Sequence, residues 1–105
     1  MQTLKVSSDS DPSATAGAIA NGVRERGGAE VEVIGPRAVN QAVKAIAIAR
    51  GYVAASGADL YCVPSFASIR VGEKDEEKTG IHFAVRTRHG QFVAGTPSTE
   101  APEGQ

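Results

Sequence analysis

The chain has 105 residues, of which 41% are hydrophobic, 22% charged and 5% aromatic, with no Trp and a formal net charge of −1. A chain of this size builds one domain and buries about 60–65% of its unfolded surface, and its ordinary composition excludes fibrous, disulfide-framed and wholly disordered classes. The single Cys62 excludes an internal disulfide and a thiolate metal centre.

Residues 3–6 alternate and are predicted as a first strand, followed by a polar loop over residues 7–11. Asp11 can cap a helix and Pro12 suits its first position. Ala16, Ile19, Ala20 and Val23 then form an amphipathic stripe, which Gly27-Gly28 ends with Arg24 and Arg26 in the last turn. Gly17 and Gly22 inside this helix each cost about 1 kcal/mol relative to Ala, which points to a close neighbour or a bound partner.

A second strand is predicted over residues 29–34, with Val31 and Val33 on one face and Glu30 and Glu32 on the other. Gly35-Pro36 breaks it, and a second helix follows over residues 38–53. Its expected main apolar stripe is Val39, Val43, Ile46 and Val53, with Ala45, Ile48 and Tyr52 roughly opposite. A helix apolar on two sides is covered on two sides, here by the sheet and by the first helix or a second subunit.

Residues 59–71 are predicted as a third strand, where Pro64 marks an edge position or a bulge. A charged turn over residues 72–80 leads to a fourth strand over residues 81–87, making a hairpin. The order β-α-β-α-β-β predicts an α/β fold of the α+β two-layer sandwich type: a four-stranded sheet with both helices on one face. The domain spans residues 1–89, and residues 90–105 are expected to be a disordered polar tail.

Nothing in the sequence points to catalysis. No nucleotide-binding glycine fingerprint is present, and neither His82 nor His89 has a spaced partner that suggests a metal. Cys62 is expected to be a small buried hydrophobe and His82 a solvent-side strand residue, while Ser65 and Ser68 lack a nucleophile elbow. The reading is a non-enzyme with no cofactor and no small-molecule substrate. No stretch approaches the roughly 20 apolar residues of a membrane span, and no basic-then-apolar leader is seen, so a cytoplasmic protein is expected.

Binding features are more informative. Arg37 stands at the start of the second helix, where unpaired N–H groups and the helix dipole attract phosphate. Asn40 and Gln41 add neutral hydrogen-bonding groups, and Lys44 lies one turn beyond Asn40. The alternative is a solvated helix start with Asn40 and Gln41 in subunit contacts. Lys5, Arg70, Arg86 and Arg88 could line a sheet edge or the hairpin arm, or serve as ordinary strand-surface charges. With the charged turn and the tail set aside, nine Lys/Arg face six Asp/Glu, so the body is mildly basic.

The run Val33-Ile34-Gly35 and then Ala38-Val39-Asn40-Gln41-Ala42-Val43-Lys44-Ala45-Ile46-Ala47-Ile48-Ala49-Arg50-Gly51-Tyr52-Val53 closely resembles the stage V sporulation protein S family. Leu4-Lys5-Val6-Ser7, Pro12-Ser13, Arg24-Glu25-Arg26-Gly27 and the positions Ser56-Gly57, Asp59-Leu60, Cys62, Pro64 and Phe66 extend the match over roughly residues 3 to 88. The resemblance implies an Alba-like fold and a small self-associating regulator linked to sporulation and septum formation. It also implies nucleic-acid contacts from the loop after the first strand, the start of the second helix and the hairpin arm. On this chain those regions carry Lys5, then Arg37, Asn40 and Lys44, then Arg70, Arg86 and Arg88, although Asp9, Asp11 and the acidic hairpin tip oppose a polyanion there. The expectation is a homodimer or tetramer that holds a DNA or RNA backbone; the alternative is a self-associating protein–protein regulator that binds no nucleic acid.

Overall fold

A computed structural model describes residues 3–89. Four strands and two helices follow in the order β1 (Thr3–Val6), α1 (Pro12–Arg26), β2 (Gly28–Val33), α2 (Pro36–Ala54), β3 (Ala58–Val71) and β4 (Glu76–His89). The sheet order is β1-β2-β4-β3. β1 runs parallel to β2, and β4 is antiparallel to both β2 and β3. The predicted α+β sandwich is therefore the observed one. No helix among the described residues is long and apolar enough to cross a membrane.

Local chemistry accounts for α1. The Asp11 side chain accepts a hydrogen bond from the Ser13 N–H at 3.3 Å, and Gly27 closes the helix in the left-handed region at φ 83°. Ala16, Ile19, Ala20 and Val23 are all buried, as the stripe predicts. Of the two interior glycines, Gly22 has the close neighbour: a Cβ there would stand 2.9 Å from the Gly28 carbonyl oxygen. Gly17 has open space beside it.

Strand alternation sorts the sheet into two faces. Val31, Val33, Phe83, Val85 and Leu60 point into the core, while Glu30, Glu32, His82 and Arg86 occupy the other face. β3 is an edge strand, and that is where Pro64 is tolerated, since its missing N–H breaks no ladder on the free side.

Two expectations are corrected. The hairpin turn is only residues 72–75; β4 begins at Glu76, and Glu76 to Gly80 pair with Val71 to Ala67. Extended pairing across the hairpin proceeds despite the charge of these residues, because their side chains reach solvent. These rungs lie beyond the last β2 pair, Val33 with Ile81, so the hairpin projects as an arm. The second correction concerns α2. Its core face is Ala38, Ala42, Ala45, Ala49 and Val53. Val39 and Ile46 are only half-buried, and Val43 and Tyr52 are 50% and 46% exposed. The buried face of α2 is a stripe of four alanines ending in Val53, and α2 packs against α1, so small side chains rather than the larger Val43 and Ile46 are the ones enclosed.

Candidate nucleic-acid interface

The C-terminal ends of β1 and β2, the start of α2 and the outer end of the hairpin arm, next to its turn, border a groove of about 540 Å³. Lys5, Arg37 and Arg70 line it, each from a different element. A smaller depression bounded by Ser8, Pro36, Arg37, Asn40 and Gln41 adjoins it, sharing Ser8, Pro36 and Arg37.

The two helix starts differ in a way that matters here. α1 is capped by a side chain, whereas α2 starts after Gly35 at φ 91° with no side-chain cap. Pro36 has no N–H to satisfy, so the first open donors of α2 are the backbone groups of Arg37 and Ala38, at the groove. Gln41 holds the neighbouring loop in place, its Nε2 donating to the Ser10 carbonyl at 2.9 Å. Within that loop the Ser7 N–H donates to Ser10 Oγ at 2.9 Å and the Asp9 N–H to Ser7 Oγ at 3.2 Å. The acidic loop is thus folded on itself and tethered to α2.

The seven basic and polar residues expected at the site separate into three groups. Lys5 reaches Glu32 at 3.4 Å, and Arg70 reaches the Asp75 carboxylate at 3.2 Å and its carbonyl at 3.0 Å. Arg37 and Lys44 form no ion pair with any described residue. Arg37, Asn40 and Lys44 fall at helical spacing, so they make one polar stripe leading from the groove along α2.

Arg86 and Arg88 are not brought to the groove. From the β2–β4 register, Arg86 pairs with Gly28 at the opposite end of β2, about 17 Å of strand from Ile81. Arg86 donates to Glu30 at 2.5 Å, and His82 meets the other Glu30 oxygen at 2.5 Å. Burial acts to raise the Glu30 pKa, but the Arg86 and His82 contacts outweigh it and hold this carboxyl below its ordinary value. His82 is on the open face as expected, but engaged. Arg88 stands 3.6 Å from Asp59 and 4.8 Å from the Tyr61 ring centroid. Cys62 is half-buried and burial raises its pKa, so it is held as the thiol.

The family model for Stage V sporulation protein S (SpoVS) matches residues 2–88. The chain belongs to the stage V sporulation protein S family. This makes it a small sporulation-related protein, and the matched range covers the described fold up to, but not including, the last residue of β4, His89. Within this SpoVS-family chain, sequence reasoning missed Ser7, Ser8 and the apolar wall of the groove, Val6, Val33, Ile34, Ile69 and Val71. No motif signals them, because residues from β1, β2 and β3 come together only through the strand order and register of the folded sheet.

Proposed function

We propose that this protein is a self-associating, non-enzymatic, cytoplasmic regulator that binds the backbone of DNA or RNA at the groove end of the sheet. The observation that carries this reading is the convergence of Lys5, Arg37 and Arg70 beside an uncapped helix start. Arg37 and Lys44 supply cationic contacts not already engaged by a carboxylate of the described chain, and backbone N–H groups of α2 add donors for a phosphate oxygen. Lys5 and Arg70 contribute less, since each must share its charge with Glu32 or Asp75. Arg86 and Arg88 are excluded from this interface by their positions.

Such contacts position a backbone without reading its sequence, so binding should weaken steeply with salt. Fluorescence anisotropy with single- and double-stranded DNA and RNA tests this. The Arg37→Ala, Lys44→Ala double variant should bind duplex about tenfold more weakly or worse, and lower the slope of log affinity against log salt by about 2. Unchanged binding by the double variant, or wild-type binding indifferent to salt, overturns the assignment. No binding to any of the four nucleic acids favours the protein–protein regulator instead.

Self-association rests on a separate observation. Val43 on α2 is 50% exposed and Phe66 on β3 is 82% exposed, both on the helix side of the molecule. An aromatic ring left 82% in water supports a contact with a second copy of the chain, provided it joins Val43 in one continuous apolar patch. Sedimentation should show the wild type as a dimer or larger, and Val43→Glu with Phe66→Glu should return it to the monomer mass while leaving the fold intact. A monomeric wild type would remove this part of the proposal.

A further inference from the structure

Phosphate contacts leave most of the groove wall unused. Val6, Val33, Ile34, Ile69 and Val71 form its floor and sides, and a phosphate gains nothing by leaving water to lie on them. The volume, about 540 Å³, falls within the range of sites that enclose small organic ligands, which are mainly apolar with a few polar groups at fixed positions. Three cations, Lys5, Arg37 and Arg70, stand at this floor, with Glu32 pairing Lys5 and Asp75 pairing Arg70. The surplus is positive, and its member without a carboxylate partner is Arg37.

We propose that the groove binds a small organic acid: one carboxylate carried on an apolar aromatic or branched alkyl body. The body lies on Ile34, Ile69 and Val71. The carboxylate meets the Arg37 guanidinium, whose planar fork can donate two hydrogen bonds to it. A bare inorganic anion leaves the floor wet, and a neutral apolar molecule leaves Arg37 unpaired beside it, so the two halves of the groove select one ligand class together. The site stands on the groove alone. Its consequence, that the acid and a nucleic acid compete for Arg37, rests on the nucleic-acid reading.

Titrating the full chain with 1-naphthylacetate, followed by amide ¹H–¹⁵N spectra and with no nucleic acid present, tests the site directly. Saturable shifts should centre on residues 6–8, 34, 35, 37, 38 and 69–71. The neutral isostere 1-naphthylacetamide should bind about tenfold more weakly or worse, because it lacks the charge-assisted pair. Arg37→Gln should lose the same factor with its folded spectrum retained, and Val71→Trp, which fills the floor, should abolish binding. Shifts that do not saturate, shifts centred on Val43 and Phe66 instead, or equal affinity for acid and amide would overturn the proposal. Failure of nucleic-acid binding leaves these outcomes untouched.

Discussion

Gly28→Ala is expected to destabilise the fold by about 3 kcal/mol, the upper part of the range for overpacking a closed site. The added Cβ would stand 2.6 Å from the Val85 carbonyl oxygen and 3.1 Å from Arg86 Nη1. Val85 is fully buried, so β4 has no room to retreat. Displacing β2 the other way is blocked too, since the Gly28 carbonyl already lies close under Gly22 of α1. Helix, strand and neighbouring strand are stacked here without space for a methyl group. Gly17→Ala is the internal contrast: nothing lies within 4 Å of its added Cβ, and the helix should gain about 0.5–1 kcal/mol. Guanidinium unfolding of both variants measures this, and a Gly28→Ala protein as stable as wild type would show that the close stacking is wrong.

The second large effect is electrostatic. Glu30 sits between Arg86 and His82 on the open face of the sheet, with its side chain only 16% exposed. Glu30→Gln should cost about 2 kcal/mol at neutral pH, the order of a charge-assisted hydrogen bond, because Arg86 loses its carboxylate. The loss is expected at the low end of what a buried pair would show, since the Arg86 side chain is 36% exposed. The pH dependence has a definite sign. Glu30 is held below its ordinary pKa in the folded protein, so the unfolded chain takes up its proton first as pH falls. The stabilisation is therefore complete above the ordinary carboxyl value of 4.5 and fades as pH drops through the depressed folded value. Urea unfolding of wild type and Glu30→Gln across that interval should show the gap closing toward acid. A gap that is constant with pH would remove the ion pair as its cause.

Much of the fold is legible in the sequence, and the misses share a cause. Strand and helix order, the Asp11 cap, the α1 stripe and the edge position of β3 follow from interactions within a few residues. On α2 the expected Val53 and Ala45 are buried, but Val43 and Ile46 rank above Ala42 and Ala49 by hydrophobicity and are the more exposed, because the face packed in the core is built of small side chains. The hairpin tip was misread because the charges of residues 76–80 suggested a loop, whereas the cross-strand ladder needs only backbone groups. The predicted disorder of residues 90–105 lies outside the described residues.

The candidate site shows the same division. Arg37, Asn40 and Lys44 were legible as a group because one helix turns them to one side. Arg86 and Arg88 had the right chemistry, but the antiparallel register carries them to the far end of β4, where Glu30 and Asp59 engage them. Local spacing encodes the family, the element order and the Gly35-Pro36-Arg37 start of α2 with Arg37, Asn40 and Lys44 on one side. Only the tertiary structure decided which side of α2 is core, which cations share a groove and what lines it. Those outcomes depend on helix packing and strand register, which arise between residues far apart in the chain.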